Sequence, residues 1–268
     1  MPTKLSVLGG GVMGEALISR LISLEIFAAD AISVGDPSAA RRQFLRETYG
    51  IQAQDDNTAV LADADIILVA VKPQAFRYIV PNLQAVADQQ QSLLLSIMAG
   101  TPLATLEAVV PHWPVIRAMP NTPATIGAGM TAIAPGKLAN AEHLQQAQTL
   151  FAAVGQVVEV PENLIDAVTG LSGSGPGYVA IVIEALADGG VAAGLPRATA
   201  LALALQTVKG TAELLQTTEM HPAVLKDRVT SPGGTTIAGI TQLESAGIRS
   251  ALIAAVQAAS DRAKALGS

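Results

Sequence analysis

The chain has 268 residues, half of them hydrophobic but only 3% aromatic, with no cysteine and a net charge of −6 that divides as −4 over residues 1–161 and −2 over residues 162–268. Such a length and apolar content give one or two domains with a sizeable core. The composition excludes disulfide scaffolds, thiolate metal sites and cysteine nucleophiles, and an evenly acidic chain poor in aromatic rings offers no surface for DNA or RNA.

Residues 5–8 are a short apolar run ending in glycines, and residues 13–26 then place Ala16, Leu17, Leu21 and Leu24 at helical spacing. Residues 32–34 read as a strand, followed by a turn and a helix over 39–49. Continuous apolar runs at 66–71, 93–97 and 115–118 have the character of strands buried on both faces. Strands separated by helices predict a parallel, doubly wound sheet. The longest uncharged stretch, 118–136, is broken by Pro120, Pro123 and Pro135, so no membrane helix is expected there. Residues 156–160 read as the last strand, closed by Pro161. Beyond it strand-like runs give way to Ala-rich helices at 166–172, 178–193, 196–216, 222–229, 235–246 and 248–266. A dinucleotide-type α/β domain (1–161) followed by an all-α domain (162–268) is the expected architecture. The first residues run directly into strand and turn, which predicts no signal peptide, and the absence of cysteine fits the expectation of a cytoplasmic protein.

Gly9-Gly10-Gly11-Val12-Met13-Gly14 fits G-x-G-x-x-G between a strand and a helix. Glycines there let the chain turn tightly, approach a pyrophosphate and pack helix on strand, while the helix start offers free N–H groups to phosphate. The plainer alternative is an ordinary glycine turn. Asp36 stands where an acidic residue often holds the adenosine ribose, which alone favours NAD; Arg41 and Arg42, one turn on, are placed to pair with a 2′-phosphate. Asp36 also suits a turn or cap. Asn57 caps a helix or faces the cofactor, and Lys72-Pro73 ends a strand at the edge where ligands collect.

A second small-residue turn, Thr230-Ser231-Pro232-Gly233-Gly234-Thr235-Thr236, opens another helix. Neutral hydroxyls beside a helix N-terminus suit a carboxylate; the alternative is an interhelix turn capped by Ser231 or Thr235. Residues 172–178 read as a third such turn, Arg117 as a surface or interdomain salt-bridge residue, and Trp113 as packing. The three histidines show no metal-ligand spacing, and no acid–base pair stands out.

Taken together, these motifs resemble pyrroline-5-carboxylate reductase over essentially the whole chain. The most specific is HPAVLKDRVTSPGGTTIAGITQLE at 221–244, supported by GGGVMG at 9–14, AVKP at 70–73, AMPNTP at 118–123, SGSGP at 172–176 and EALADGGVAAGLPR at 184–197. The resemblance implies a Rossmann-type N-terminal domain and an all-α C-terminal dimerisation domain, no metal, and a homodimer that in the family assembles further into a decamer, a pentamer of dimers. In such an assembly the substrate loop completes a site whose cofactor sits on a partner chain. It implies reduction of 1-pyrroline-5-carboxylate to L-proline, the last step of proline biosynthesis, with NADP(H) or NAD(H). Cofactor residues carry over to Gly9, Gly11, Val12, Met13, Gly14, Asn57, Ala70, Val71, Lys72 and Pro73, with Asp36 at a position where relatives more often have Ser or Thr. Substrate residues carry over to Val229, Ser231, Gly233, Gly234, Thr235 and Thr236, with Glu219 nearby. Gly177 replaces the usual Ala and is expected to loosen a helix start.

A protonated cyclic imine accepts hydride without an enzyme nucleophile, so catalysis by positioning is expected. The backbone N–H groups around Gly234–Thr236 and the Ser231 hydroxyl are assigned to the substrate carboxylate, and Thr236 is the catalytic hydroxyl beside the ring nitrogen. Two rivals are a β-hydroxyacid dehydrogenase, whose catalytic lysine is missing from 177–184, and a non-catalytic dinucleotide-binding regulator.

Overall fold

The computed structural model describes residues 3–267. Among these described residues, eight strands and twelve α-helices follow in chain order: β1 Leu5–Leu8, α1 Val12–Ser23, β2 Ile32–Gly35, α2 Ala39–Tyr49, β3 Gln52–Gln54, α3 Asn57–Leu61, β4 Ile66–Val69, α4 Phe76–Ala87, β5 Leu93–Ser96, α5 Leu103–Val109, β6 Val115–Met119, β7 Gly129–Pro135, α6 Ala141–Ala152, β8 Gly155–Glu159, α7 Ile165–Val168, α8 Gly175–Ala192, α9 Arg197–Thr218, α10 Pro222–Arg228, α11 Thr235–Ser245 and α12 Ile248–Gly267.

The strands form one sheet in the order β3-β2-β1-β4-β5-β6-β7-β8. The order reverses beside β1, the switch point at which doubly wound sheets bind ligands. Residues of alternate parity serve its two faces. Leu5, Val7, Val34, Leu68 and Leu95 pack under α1 and α6 through Leu17, Leu21, Leu150 and Phe151. Leu8, Ile67, Val69 and Leu94 pack under α3, α4 and α5 through Leu61, Leu83 and Leu106. Burial on both faces is why these strands are mostly apolar, with Ser6 and Ser96 the buried polar residues among them. Trp113 is packed in the second cluster, its indole N–H donating to the Gln90 carbonyl at 2.8 Å.

The sheet is not wholly parallel. β7 runs antiparallel to β6, because only the short 3₁₀ turn Thr122–Ile126 joins them and a parallel return needs a longer crossover. Arg117 lies in β6 and is buried, with Glu162 Oε1 at 3.4 Å and Asp166 Oδ1 at 3.7 Å. Of the two expected roles, surface residue or interdomain salt bridge, the salt bridge is present, but Arg117 is buried and both partners belong to the same compact unit. Residues 172–178, expected as a turn, are largely helical: a π-helical turn over Thr169–Gly173 leads into α8, and Pro176 sits in the first turn, where its missing N–H costs nothing.

The chain divides into two compact units, one reaching to Ser174 and including the segment from Ala258, the other Gly175–Gln257. The first extends past the last strand because Ile165 packs with Ala132 and Ala134 of β7, and it regains the chain's end because Leu266 lies against Gly100. In the second unit α8 and α9 approach closely: Ala187, Ala200 and Ala204 form its small core, and a Cβ on Gly190 would stand 3.0 Å from that of Ala200. Its helices leave Ile181, Leu203, Leu205, Val229 and Ile253 about half exposed or more, the kind of apolar surface that marks an association face.

Candidate functional site

The glycine turn of the first unit meets the demands of a phosphate cradle. Gly9 has φ +103°, and a Cβ there would lie 2.8 Å from the Ala70 carbonyl oxygen and 3.1 Å from Val71 Cγ1. A Cβ on Gly14 would come within 2.3 Å of the Gly9 carbonyl oxygen, so helix and turn pack only through glycine. Gly11, the N-cap of α1, has nothing within 4 Å of a Cβ position and no side chain capping the helix. The first intrahelical bond runs from Glu15 N to Gly11 O at 2.8 Å, which leaves the amides of Val12, Met13 and Gly14 without helical acceptors. Val12 is 72% exposed. A pyrophosphate fits this open, dipole-positive end.

The neighbouring strand ends complete the set. Asp36 follows β2, and its carboxylate accepts from Gly10 N and from Ser38 N, both at 2.9 Å. Asn57 does not cap α3; Asp56 does, accepting from Thr58 N at 2.9 Å. The Asn57 carboxamide lies instead against Gly35, where a Cβ would meet its Oδ1 at 2.3 Å. Ala70 and Val71 adjoin Gly9, while Lys72 and Pro73 stand exposed at the start of a 3₁₀ turn. Thus the structure brings Gly9–Gly14, Asp36, Asn57, Ala70 and Val71 together at the C-terminal edge of the sheet. A cavity of about 640 Å³ lined by Thr3, Phe27, Asp30, Gln145 and Thr149 opens at the opposite edge.

A cluster that sequence inspection missed adjoins the turn. Arg41 donates from Nε to the Gly10 carbonyl and from Nη2 to Glu15 Oε2, and the Tyr49 hydroxyl donates to Glu15 Oε1 at 2.8 Å. Burial acts to raise the Glu15 carboxyl, but the Arg41 guanidinium and the Tyr49 hydroxyl outweigh it and hold the group below its ordinary range. Burial and the adjacent carboxylate push the Tyr49 hydroxyl up. The only signal in the sequence was the Arg pair after Asp36.

The second unit carries the hydroxyl-rich turn, described by itself. Gly233 has φ +67°, and Gly234 is the N-cap of α11, again without a side-chain cap, so neither Ser231 nor Thr235 performs that role. The Gly234 amide closes the turn onto the Ser231 carbonyl at 3.1 Å. The donors left at the helix start are Thr235, Thr236 and Ile237, one residue later than the expected set. A Cβ on Gly234 would fall 2.2 Å from Ser231 Oγ. Thr230 and Thr241 return their hydroxyls to carbonyls four residues back, whereas the half-buried Thr236 hydroxyl has no hydrogen-bond partner among the described residues. Val229 is exposed, and Glu219 ends α9 at φ +51°.

Comparison with known proteins bears on both turns. Residues 4–100 match the family model for NADP oxidoreductase, coenzyme F420-dependent, and residues 162–266 that for pyrroline-5-carboxylate reductase dimerisation. The chain is 54% identical over 267 residues to a pyrroline-5-carboxylate reductase of a Synechocystis species, covering 100% of this chain and 99% of the relative. A pyrroline-5-carboxylate reductase structure from Coxiella burnetii superposes with a TM-score of 0.94 at 32% identity, with 100% of both chains covered. That from Plasmodium falciparum, with NADP bound, gives 0.88 at 31% identity and covers 99% of this chain and 98% of its own.

Proposed function

The chain belongs to the pyrroline-5-carboxylate reductase family, and from that premise we propose how its residues carry out the NAD(P)H-dependent reduction of 1-pyrroline-5-carboxylate to L-proline. Bound at the glycine turn, the reduced nicotinamide cofactor supplies the hydride. The amides of Val12, Met13 and Gly14 hold its pyrophosphate, with Gly9 and Gly11 giving room. Asp36 and Asn57 lie at the adenosine end, and Ala70 to Pro73 line the next strand end. NADP(H) is the proposed cofactor and NAD(H) the alternative, which the carboxylate of Asp36 favours.

The substrate carboxylate binds the amides of Thr235, Thr236 and Ile237 together with the Ser231 hydroxyl. Gly233 and Gly234 leave room for it, Val229 offers an apolar wall to the ring, and Glu219 stands nearby. The Thr236 hydroxyl accepts from the iminium N–H, orients the ring and relays a proton through water once the amine forms. Hydride addition to an iminium needs no obligatory acid, so positioning supplies most of the catalysis. The α-helical part, residues 162–268, forms a homodimer, dimers assemble into a decamer, and the enzyme works in the cytoplasm; the exposed apolar helix surface supports the first of these.

The observation that carries this reading is the uncapped start of α11 beside a Thr236 hydroxyl that has no hydrogen-bond partner among the described residues. The test is imine-dependent oxidation of NADPH or NADH. One such hydrogen bond is worth about 1–3 kcal/mol, so Thr236→Ala lowers kcat/KM roughly 10–100-fold. Unchanged kinetics in that variant would remove Thr236 from the mechanism.

A further inference from the structure

We infer that Glu15 is a positioning residue for cofactor selectivity: by holding the Arg41 guanidinium against α1 and the Gly10 carbonyl, it withholds that cation from an adenosine 2′-phosphate. This rests on the reading that the glycine turn binds a dinucleotide.

Arg41 lies in the first turn of α2 and reaches back over the fingerprint loop. Its Nε and Nη2 are spent on Gly10 O and Glu15 Oε2, and its guanidinium carbon lies 4.9 Å over the Phe44 ring. Phe44 in turn meets Tyr49 edge-on at 6.3 Å. Tyr49 occupies the second oxygen of Glu15, so the carboxylate is fixed from two sides and faces Arg41 with a full charge. The side chains of Glu15 and Arg41 are each only 26% exposed, which weakens screening by solvent.

Arg41 is neutralised by Glu15. Arg42 donates to the Asp36 and Pro37 carbonyls and faces Asp55 at 3.3 Å. Asp36 engages two backbone amides and, among the described residues, no cation. A 2′-hydroxyl entering here finds an acceptor in Asp36, whereas a 2′-phosphate meets two carboxylates and two arginines already paired. Binding NADPH therefore requires Arg41 to leave Glu15, and binding NADH does not.

The experiment compares kcat/KM and Kd for NADPH and NADH in wild type, Glu15→Gln, Arg41→Gln and the double variant, using the full-length protein. Glutamine keeps the shape and the Tyr49 contact while removing the charge. Freeing one charge-assisted contact to phosphate, less the cost of reorganising Arg41, should raise the NADPH/NADH ratio about tenfold in Glu15→Gln. In the Arg41→Gln background the same change should leave the ratio unmoved, the mark of coupling through that cation. Both cofactors are measured on one sample, so loss of folded protein cancels from the ratio. A ratio shifted by less than about twofold, or one that shifts equally without Arg41, overturns the inference while leaving the dinucleotide site intact. Failure of wild type to bind either cofactor would overturn the underlying reading as well.

Discussion

Alanine at Gly11 separates folding from cofactor binding, and alanine at Gly14 does not. At Gly11 a new methyl enters open space with an ordinary backbone φ of −68°. Exchanging Gly for Ala at an N-cap costs about 1 kcal/mol or less, so Tm changes little. The same methyl stands where a pyrophosphate must approach the amides of α1. Losing one charge-assisted hydrogen bond there, worth about 1.5–3 kcal/mol, raises Kd roughly 10–100-fold. At Gly14 the methyl would lie 2.3 Å from the Gly9 carbonyl oxygen. That is backbone, not a movable side chain, so β1 and α1 must separate. Such overpacking costs about 1–3 kcal/mol, and Tm falls by several degrees along with affinity. Titration of reduced-nicotinamide fluorescence and thermal melts of both variants make the test. Wild-type affinity in Gly11→Ala, or wild-type melting in Gly14→Ala, would refute the reasoning.

Three further outcomes are expected. Gly177→Ala fills open space inside α8 and should stabilise the protein by about 0.4–1 kcal/mol in denaturant unfolding; destabilisation would indicate a contact that the glycine permits. Arg117→Met leaves Glu162 and Asp166, each partly exposed, without their buried cation and should cost about 2–3 kcal/mol, below the range for fully buried pairs; a neutral result would mean solvent already serves those carboxylates. The depressed Glu15 carboxyl gives folded-state stability that is complete above its unfolded pKa and is lost as pH falls through the lower folded value. The stability gap between wild type and Glu15→Gln should therefore be present at neutral pH, shrink as pH falls below the ordinary carboxylate range and close only below the depressed folded value; a gap that persists in strong acid would assign it to packing.

The parts legible in the sequence were those whose environment imposes a period or a glycine. Leu5–Leu8 and the runs beginning at Ile66, Leu93 and Val115 are buried on both faces and read as strands at once. Gly9 and Gly14 announced the turn because no side chain fits there. β3 was hidden because it is a three-residue edge strand, Gln52-Ala53-Gln54, with one buried position. β7 begins with Gly129 and ends with Pro135, and its antiparallel course depends on a short link that periodicity does not encode. The helical start of α8 was masked by Gly and Pro, which suit a turn and a first helical turn alike. The Glu15–Arg41–Tyr49 cluster joins residues from two helices; no local spacing reports that meeting. Gly234's amide, a free donor by sequence position, is taken by the turn onto Ser231, a closure that residue spacing does not encode.

A crystal structure of the full-length protein with L-proline and oxidised cofactor tests the central claim most directly. The amino acid's carboxylate should lie on the amides of Thr235 and Thr236, with its ring nitrogen within hydrogen-bond reach of Thr236 Oγ1. A carboxylate gripped by a side-chain cation elsewhere, with residues 231–236 untouched, would contradict it.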